Sequence, residues 1–364
     1  MQRERLPILV TGSSGLIGSA VMRRLAQRYE VVGFSRHRHP DLPGSWIGVD
    51  MADDRSVASA LDELHAAHGS RLASVIHLAA YYDFSGAPSP LYQSVTVDGT
   101  RRLLDGLHAR FEVEQLVFSS SMLVQAPSPG PGYRIDENDP LSETWDYPRS
   151  KVRTERLIRE RRGTIPAVIE RIAGIYDGWC HSIPISHQIA RIFERDPESY
   201  LFPGDPDHGQ AFVHVGDCVD AIEAAVERRT ALPDELTVLI GEPITLGYDE
   251  LQDEIGRLLY GESDWPTVQI PKVVARAGAW VLENAPGLPE QFIKPWMIEI
   301  ADDHYELDLH RANEILGWRA HHRLAAVLPE MIGNLLRDPL RWYRENDLDP
   351  GRIPRDRRRA THTR

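Results

Sequence analysis

Cysteine is nearly absent: Cys180 and Cys218 are the only two among 364 residues. Neither belongs to a CxxC pair, which argues against a zinc ribbon and against a disulfide framework. No third metal-type ligand falls at a sensible spacing near His181 and His187, so no metal site is expected. No run of 18 apolar residues occurs, so no membrane span is expected. The first strand-like run starts too near Met1 to leave room for a signal peptide. These absences point to a cytoplasmic protein. Positive charge is in deficit: 41 Lys and Arg against 54 Asp and Glu leave a net charge of −13. Nucleic acid needs a basic face, so it is not an expected partner. The exception is the basic, Pro-broken end within 346–364, "RIPRDRRRATHTR", which reads as a disordered tail.

What remains is an ordinary apolar content of 42%, enough for a large core. Strand-like and helix-like runs alternate: "LPILVTG", "LIGSAVMRRLAQR", "YEVVGFSR", "SVASALDELHAAHG", "LASVIHLAA", "VDGTRRLLDGLHARF", "VEQLVFSSS". This order predicts an α/β fold, a Rossmann-type doubly wound parallel sheet. The rhythm breaks after Asp177 and returns with "AFVHVGDCVDAIEAAVERR". Residues 1–178, with a return segment at about 211–240, form the expected dinucleotide-binding domain. Residues 179–210 and 241–345 form a smaller mixed α/β C-terminal substrate domain.

Gly12, Gly15 and Gly18 follow the first strand and open a helix. A helix N-terminus offers unpaired N–H groups and partial positive charge, and glycine lets a pyrophosphate come close. The loop "TGSSGLIGS" is therefore a dinucleotide cradle, with contacts expected from Thr11, Gly12, Ser14, Gly15, Leu16, Ile17 and Gly18. The second strand ends "FSRHRH", with Ser35, Arg36 and Arg38 where a carboxylate would hold ribose hydroxyls. Arg36 can instead pair with a 2′-phosphate, which favours NADP(H) over NAD(H).

Tyr147 and Lys151 in "WDYPRSK" lie one helical turn apart, on one face. An ammonium beside a phenol stabilises the phenolate, and a drop of about three pKa units would make Tyr147 a general acid/base near neutral pH. Ser121, closing the strand "VFSSS", can hold the same substrate oxygen.

With these residues in place, the chain resembles the extended short-chain dehydrogenases/reductases of the NAD-dependent epimerase/dehydratase type. The matching pieces are "TGSSGLIGS", "GVDMAD", "HLAA", "VTVDGTRRLL", "FSSS", "YPRSK", "RIAGIYDG" and "FVHVGDCVDAI", extended by "LGWRAHHRLAAVLPEMI". The resemblance implies catalysis by Ser121, Tyr147 and Lys151. It places Asp50 and Met51 beside adenine, and Leu78, Ala79 and Ala80 under the cofactor. It sets Thr96 where the family usually has Asn. It also implies a homodimer.

Departures from the family pattern narrow the reaction. Met122 and Leu123 stand where family dehydratases carry an Asp-Glu pair, and neither can protonate a leaving hydroxyl. Gly174 and Gln210 stand where sugar-nucleotide enzymes carry an Asn and an Arg for the diphosphate. Arg171 and Arg191 are the remaining candidates for that task. Tyr81, Tyr82, Gly174 and His181 are expected near the substrate, with Asp83 and His187 close by. Large rings at Trp265, Trp280, Phe292, Trp296 and Tyr305 suggest apolar walls or core packing. The expected function is hydride transfer between NADP(H) and a small-molecule carbonyl or secondary alcohol. The alternatives are a nucleotide-sugar epimerase with internal hydride return and a non-catalytic NADP sensor.

Overall fold

The first strand, β1 (Ile8–Thr11), is apolar on both sides: Ile8 and Val10 join one core cluster and Leu9 joins another. A strand of that kind needs helices over both faces. The computed structural model, which describes residues 6–83, 86–284 and 293–358, places it near the centre of a sheet. The strands that follow are β2 (Val31–Ser35), β3 (Ser45–Gly48), β4 (Ser74–His77), β5 (Leu116–Ser121), β6 (Ala167–Ile172), β7 (Gly174–Tyr176), β8 (Phe212–His214) and β9 (Glu235–Ile240). Seven of them pair in the order β9-β6-β5-β4-β1-β2-β3, all parallel. The chain crosses from one side of β1 to the other after β3, which opens a crevice at the C-terminal strand ends.

Helix α1 (Leu16–Leu25) covers one face; α2 (Asp54–His68), α3 (Asp98–Arg110) and α4 (Asp146–Arg161) cover the other. Helix α5 (Ile183–Glu194) departs from the sheet, and α6 (Val215–Glu227) returns beside α1, where Arg24 pairs with Asp220 and Glu223. The remaining helices are α7 (Tyr248–Tyr260), α8 (Lys272–Asn284), α9 (Pro295–Glu299), α10 (Leu324–Arg337), α11 (Pro339–Glu345) and α12 (Arg355–Arg358). Ile189 of α5, Ile255 of α7, Met331 of α10 and Trp342 of α11 share a third core. The "LGWRAHH" segment docks this unit: Trp318 Nε1 donates to the Asp217 carbonyl at 2.8 Å, and the Asp217 carboxylate accepts the N–H groups of His321 and His322.

Three expectations need correcting. "PAVIERIAGIY" is two strands, because the chain leaves the main sheet at Ala173. The "FVHV" strand, β8, pairs with β7 outside the main sheet; β9 is the strand that returns. The tail is ordered through residue 358: Ile353 is buried, and Arg352 pairs with Glu194 and Asp196. Residues 359–364 lie outside the described residues, as does Phe292. No helix among the described residues is long and apolar enough to cross a membrane.

Glu170 in β6 is an oddity with a measurable consequence. It is fully buried, both carboxyl oxygens lack partners, and burial pushes its pKa up to about 8. The folded chain thus keeps a proton that the unfolded chain releases near the ordinary value of 4.5. Stability from this site is intact below that value and declines as pH rises towards about 8. Glu170→Gln removes the decline. Its advantage over wild type in urea titrations should grow by about 2 kcal/mol between roughly pH 6 and pH 8. A constant difference across that window would contradict the assignment.

Candidate active site

The three loop glycines answer to different constraints. Gly12 has φ of +71°, and a Cβ there would come within 2.9 Å of the Ala79 nitrogen. A Cβ at Gly18 would collide with the Gly12 carbonyl oxygen, so this glycine lets α1 approach the strand end. Gly15 is different: its Cβ would meet nothing closer than 3.4 Å. No contact among the described residues requires glycine there. Gly15 is also the N-cap of α1 and supplies no side-chain cap for the helix N–H groups. Bare backbone and uncapped donors fit the pyrophosphate of a dinucleotide. Ser14 is exposed in this loop, while Leu16 and Ile17 line the large cavity described below.

Around the loop, hydrogen bonds fix the strand ends. The Thr100 hydroxyl donates to the Thr96 carbonyl at 2.6 Å and so accepts from His77 Nε2, 2.8 Å away. His77 Nδ1 then accepts from the Thr11 hydroxyl at 2.7 Å. Burial holds the His77 pKa down at about 3, which keeps this neutral tautomer. The Ala79 N–H donates to Thr11 Oγ1, and the Tyr81 N–H donates to Thr96 Oγ1 at 2.9 Å. Thr96 therefore anchors the segment that carries Leu78, Ala79 and Ala80. Met51 is buried against Gly99, and the Asp50 carboxylate accepts the Ala52 N–H. The Ser35 hydroxyl is committed within the chain, donating to the His37 carbonyl and accepting from Trp46 Nε1. Arg36 and Arg38, just beyond β2, are exposed. Neither has an ion pair or hydrogen bond among those found for the described residues.

Ser121 ends β5, and Tyr147 sits in the first turn of α4, where Pro148 is tolerated because no helical bond is lost. The Ser121 hydroxyl lies beside the Tyr147 phenol, whose pKa it draws down, and accepts the Leu123 N–H at 3.2 Å. Lys151 Nζ donates to the Ser119 carbonyl at 2.6 Å and lies 5.9 Å from the centre of the Tyr147 ring. The expected depression of the phenol is not found. Burial pushes Tyr147 up to about 12, and Ser121 offsets only part of that. Burial also draws Lys151 down to about 8, against the opposing pull of Glu155. Desolvation outweighs the ammonium here because Lys151 is directed at a backbone carbonyl rather than at the phenol oxygen. Tyr147 accordingly holds its proton at neutral pH.

These groups open into a cavity of about 620 Å³ whose walls include Ile172, Ile175, Phe202, Leu251 and Met297. Tyr82 lines it and meets Tyr147 edge-to-face at 4.9 Å. Trp145 lies 5.6 Å from Tyr147, and Trp296 of α9 lies 5.1 Å from Trp145. Tyr81 does not line the cavity; its ring packs on Tyr92 and its hydroxyl reaches Asp83. His181 does line it, with Nδ1 2.7 Å from the Asp177 carboxylate, which raises its pKa. His187 of α5 is not among the lining residues. Gly174 is closed to a side chain, since a Cβ would sit 2.7 Å from the Phe212 ring. Gln210 donates to the Asp303 carbonyl at 3.0 Å. Arg171 is spent on Glu155, at 2.9 Å, and on the Glu137 carbonyl. Sequence reasoning missed Trp145, Glu198 and Asp303 as cavity residues. Trp145 had a signal, its place directly before Asp146 and Tyr147. Glu198 and Asp303 had none, because distant segments bring them in.

A doubly wound sheet, a glycine cradle at its crevice and a Ser–Tyr–Lys group beside an apolar cavity define a dinucleotide-dependent short-chain dehydrogenase/reductase architecture. The chain belongs to the NAD dependent epimerase/dehydratase family, whose model matches residues 8–241. It is similar to the 3 beta-hydroxysteroid dehydrogenase type 7 of Homo sapiens, 31% identical over 242 residues, 58% of this chain and 61% of that one. It is similar to the 2-alkyl-3-oxoalkanoate reductase of Stenotrophomonas maltophilia, 31% identical over 149 residues, 39% of this chain and 42% of that one. The chain thus spans 61% and 42% of the lengths of these two relatives. The solved structure of MoeE5 in complex with UDP-glucose and NAD shares the fold, with a TM-score of 0.67 at 22% identity over 93% of this chain and 98% of that one.

Proposed function

We propose that the protein is an NADP(H)-dependent oxidoreductase that interconverts a carbonyl and a secondary alcohol on an apolar substrate without a nucleotide handle. One observation carries this reading: Ser121 and Tyr147 open into a largely apolar cavity in which Gly174, Gln210 and Arg171 cannot hold a diphosphate, so that of the candidate anchors Arg191 alone remains. Gly174 is sealed by Phe212, Gln210 is tied to a backbone carbonyl, and Arg171 is neutralised by Glu155. The names of two of the curated relatives, a steroid dehydrogenase and an alkyl-oxoalkanoate reductase, accord with such a substrate, whereas that of a third, an N-acetyl-alpha-D-glucosaminyl-diphospho-ditrans,octacis-undecaprenol 4-epimerase, favours the epimerase.

Bound nicotinamide would supply or accept the hydride at the substrate carbon. The glycine loop would hold the pyrophosphate, Arg36 and Arg38 the 2′-phosphate, and Lys151 with Tyr147 the nicotinamide ribose. Ser121 holds the substrate oxygen by hydrogen bonding. Tyr147, protonated at neutral pH, gives its proton to that oxygen during reduction and takes it back during oxidation. Tyr82 and Trp145 pack on its ring and keep water from the phenol. A homodimer in the cytoplasm belongs to the same proposal, on the family resemblance, and sedimentation measures the dimer.

The test is calorimetric titration with NADPH, NADH and UDP. Tight NADPH binding with no heat from UDP is the expected result. Tight NADH and UDP binding would replace this reading with the nucleotide-sugar epimerase.

A further inference from the structure

Arg191 of α5 lies three residues after Gln188, so both project from one side of the helix, and both line the cavity that holds Ser121 and Tyr147. It is the exception among its neighbours. Arg195 pairs with Glu262, and Arg352 pairs with Glu194 and Asp196. Arg191 has no ion pair among those found for the described residues, and its Nε is buried without a hydrogen-bond partner. A guanidinium N–H removed from water and left unmet carries a desolvation cost that nothing in the chain returns. The walls nearby are apolar, with Ile185, Leu201, Phe202 and Leu251 lining the same cavity. In such a pocket a few polar groups set orientation and specificity.

We infer that Arg191, with Gln188 beside it, anchors a carboxylate at the substrate end remote from the reacting carbonyl, so that the substrate is an apolar oxo or hydroxy acid. This rests on the oxidoreductase reading above. The reacting group is held by β5 and α4 of the sheet domain, whereas the anchor belongs to α5 in the C-terminal unit. A substrate engaged by both spans the cavity between them. A guanidinium presents parallel N–H groups that match the two oxygens of a carboxylate. The charge balance disfavours a larger anion: Lys151 is directed at the Ser119 carbonyl and His181 at Asp177, which leaves Arg191, and Glu198 and Asp303 line the same cavity. Glu198 lies within the field of Arg191 but beyond ion-pair range. Burial, reinforced by Asp196, raises its pKa against the opposing pull of Arg191 and Arg352.

The test compares two probes that differ only at the far end, 9-oxodecanoate and 2-decanone, in wild type and Arg191→Met with NADPH. The wild type should prefer the acid by about tenfold to a hundredfold in kcat/KM, as a charge-assisted hydrogen bond implies. In Arg191→Met the preference should vanish while 2-decanone turnover persists, which also shows that the variant folds. Arg191→Lys should restore part of the preference. An unchanged acid preference in Arg191→Met, or an equal loss for both probes, overturns the assignment. If wild type reduces neither probe, the oxidoreductase reading fails separately, and decanoate binding followed by tryptophan fluorescence decides the anchor. A tenfold weaker decanoate affinity in Arg191→Met supports it; an equal affinity overturns it.

Discussion

Tyr147→Phe should lower kcat by a hundredfold to ten-thousandfold, about the range lost when a positioned proton donor is removed. The prediction follows from the state of the phenol. Burial holds Tyr147 protonated at neutral pH, Ser121 lies beside its hydroxyl, and the cavity around it is largely apolar. The two residues that follow Ser121, Met122 and Leu123, also line the cavity and offer no proton. Phenylalanine keeps the ring that packs on Tyr82 and Trp145, so the wall of the site survives. Affinity for NADPH should change by about tenfold at most, far less than kcat, since only the Tyr147 contact to the ribose is lost while the glycine loop, Lys151 and the arginines beyond β2 are untouched. Steady-state rates with a carbonyl substrate and fluorescence titration with NADPH separate the two effects. Retained turnover would show that Tyr147 is not the proton donor; NADPH binding without turnover in wild type and variant alike would return the chain to the class of cofactor sensors.

Arg36→Asp combined with Arg38→Ser should weaken NADPH binding by about a hundredfold or more and leave NADH within about threefold. Each charge-assisted bond to a phosphate contributes about 1.5–3 kcal/mol. The two guanidiniums have no competing partner among the contacts found for the described residues, so their full hydrogen-bonding capacity is open to a ligand. An aspartate at position 36 adds repulsion toward the 2′-phosphate and an acceptor for ribose hydroxyls. Because both side chains are exposed, the wild-type preference should shrink as salt rises. Equal losses for NADPH and NADH would show that the arginines do not read the 2′-phosphate.

Local pattern made part of this site legible in the sequence. Gly12, Gly15 and Gly18 announce a cradle because strand, turn and helix N-terminus are contiguous. Tyr147 and Lys151 announce themselves through helical spacing, and Ser121 through the end of a strand. What escaped depends on environment and on distant segments. Spacing cannot show that Lys151 turns to the Ser119 carbonyl, nor that burial outweighs its charge at the phenol. Gly174 looks like a lost anchor in the sequence; the structure shows it as a site the Phe212 ring leaves no room to fill. Thr96 looks like a disruption, yet its hydroxyl holds the Tyr81 N–H. The tail looks disordered by composition, yet Ile353 and the Arg352 ion pairs secure it to α5. Trp296 joins Trp145 from a helix far along the chain, which no local window reveals.

The most direct test of the central claim is stoichiometric. Purified protein is mixed with a limiting amount of NADPH and an excess of an apolar ketone such as 2-decanone, and separately with NAD and UDP-glucose. Loss of nicotinamide absorbance is followed alongside product analysis. The account predicts that each NADPH consumed yields one molecule of secondary alcohol, and that UDP-glucose is returned unchanged. Conversion of UDP-glucose to its 4-epimer with no net reduction of NAD would contradict it.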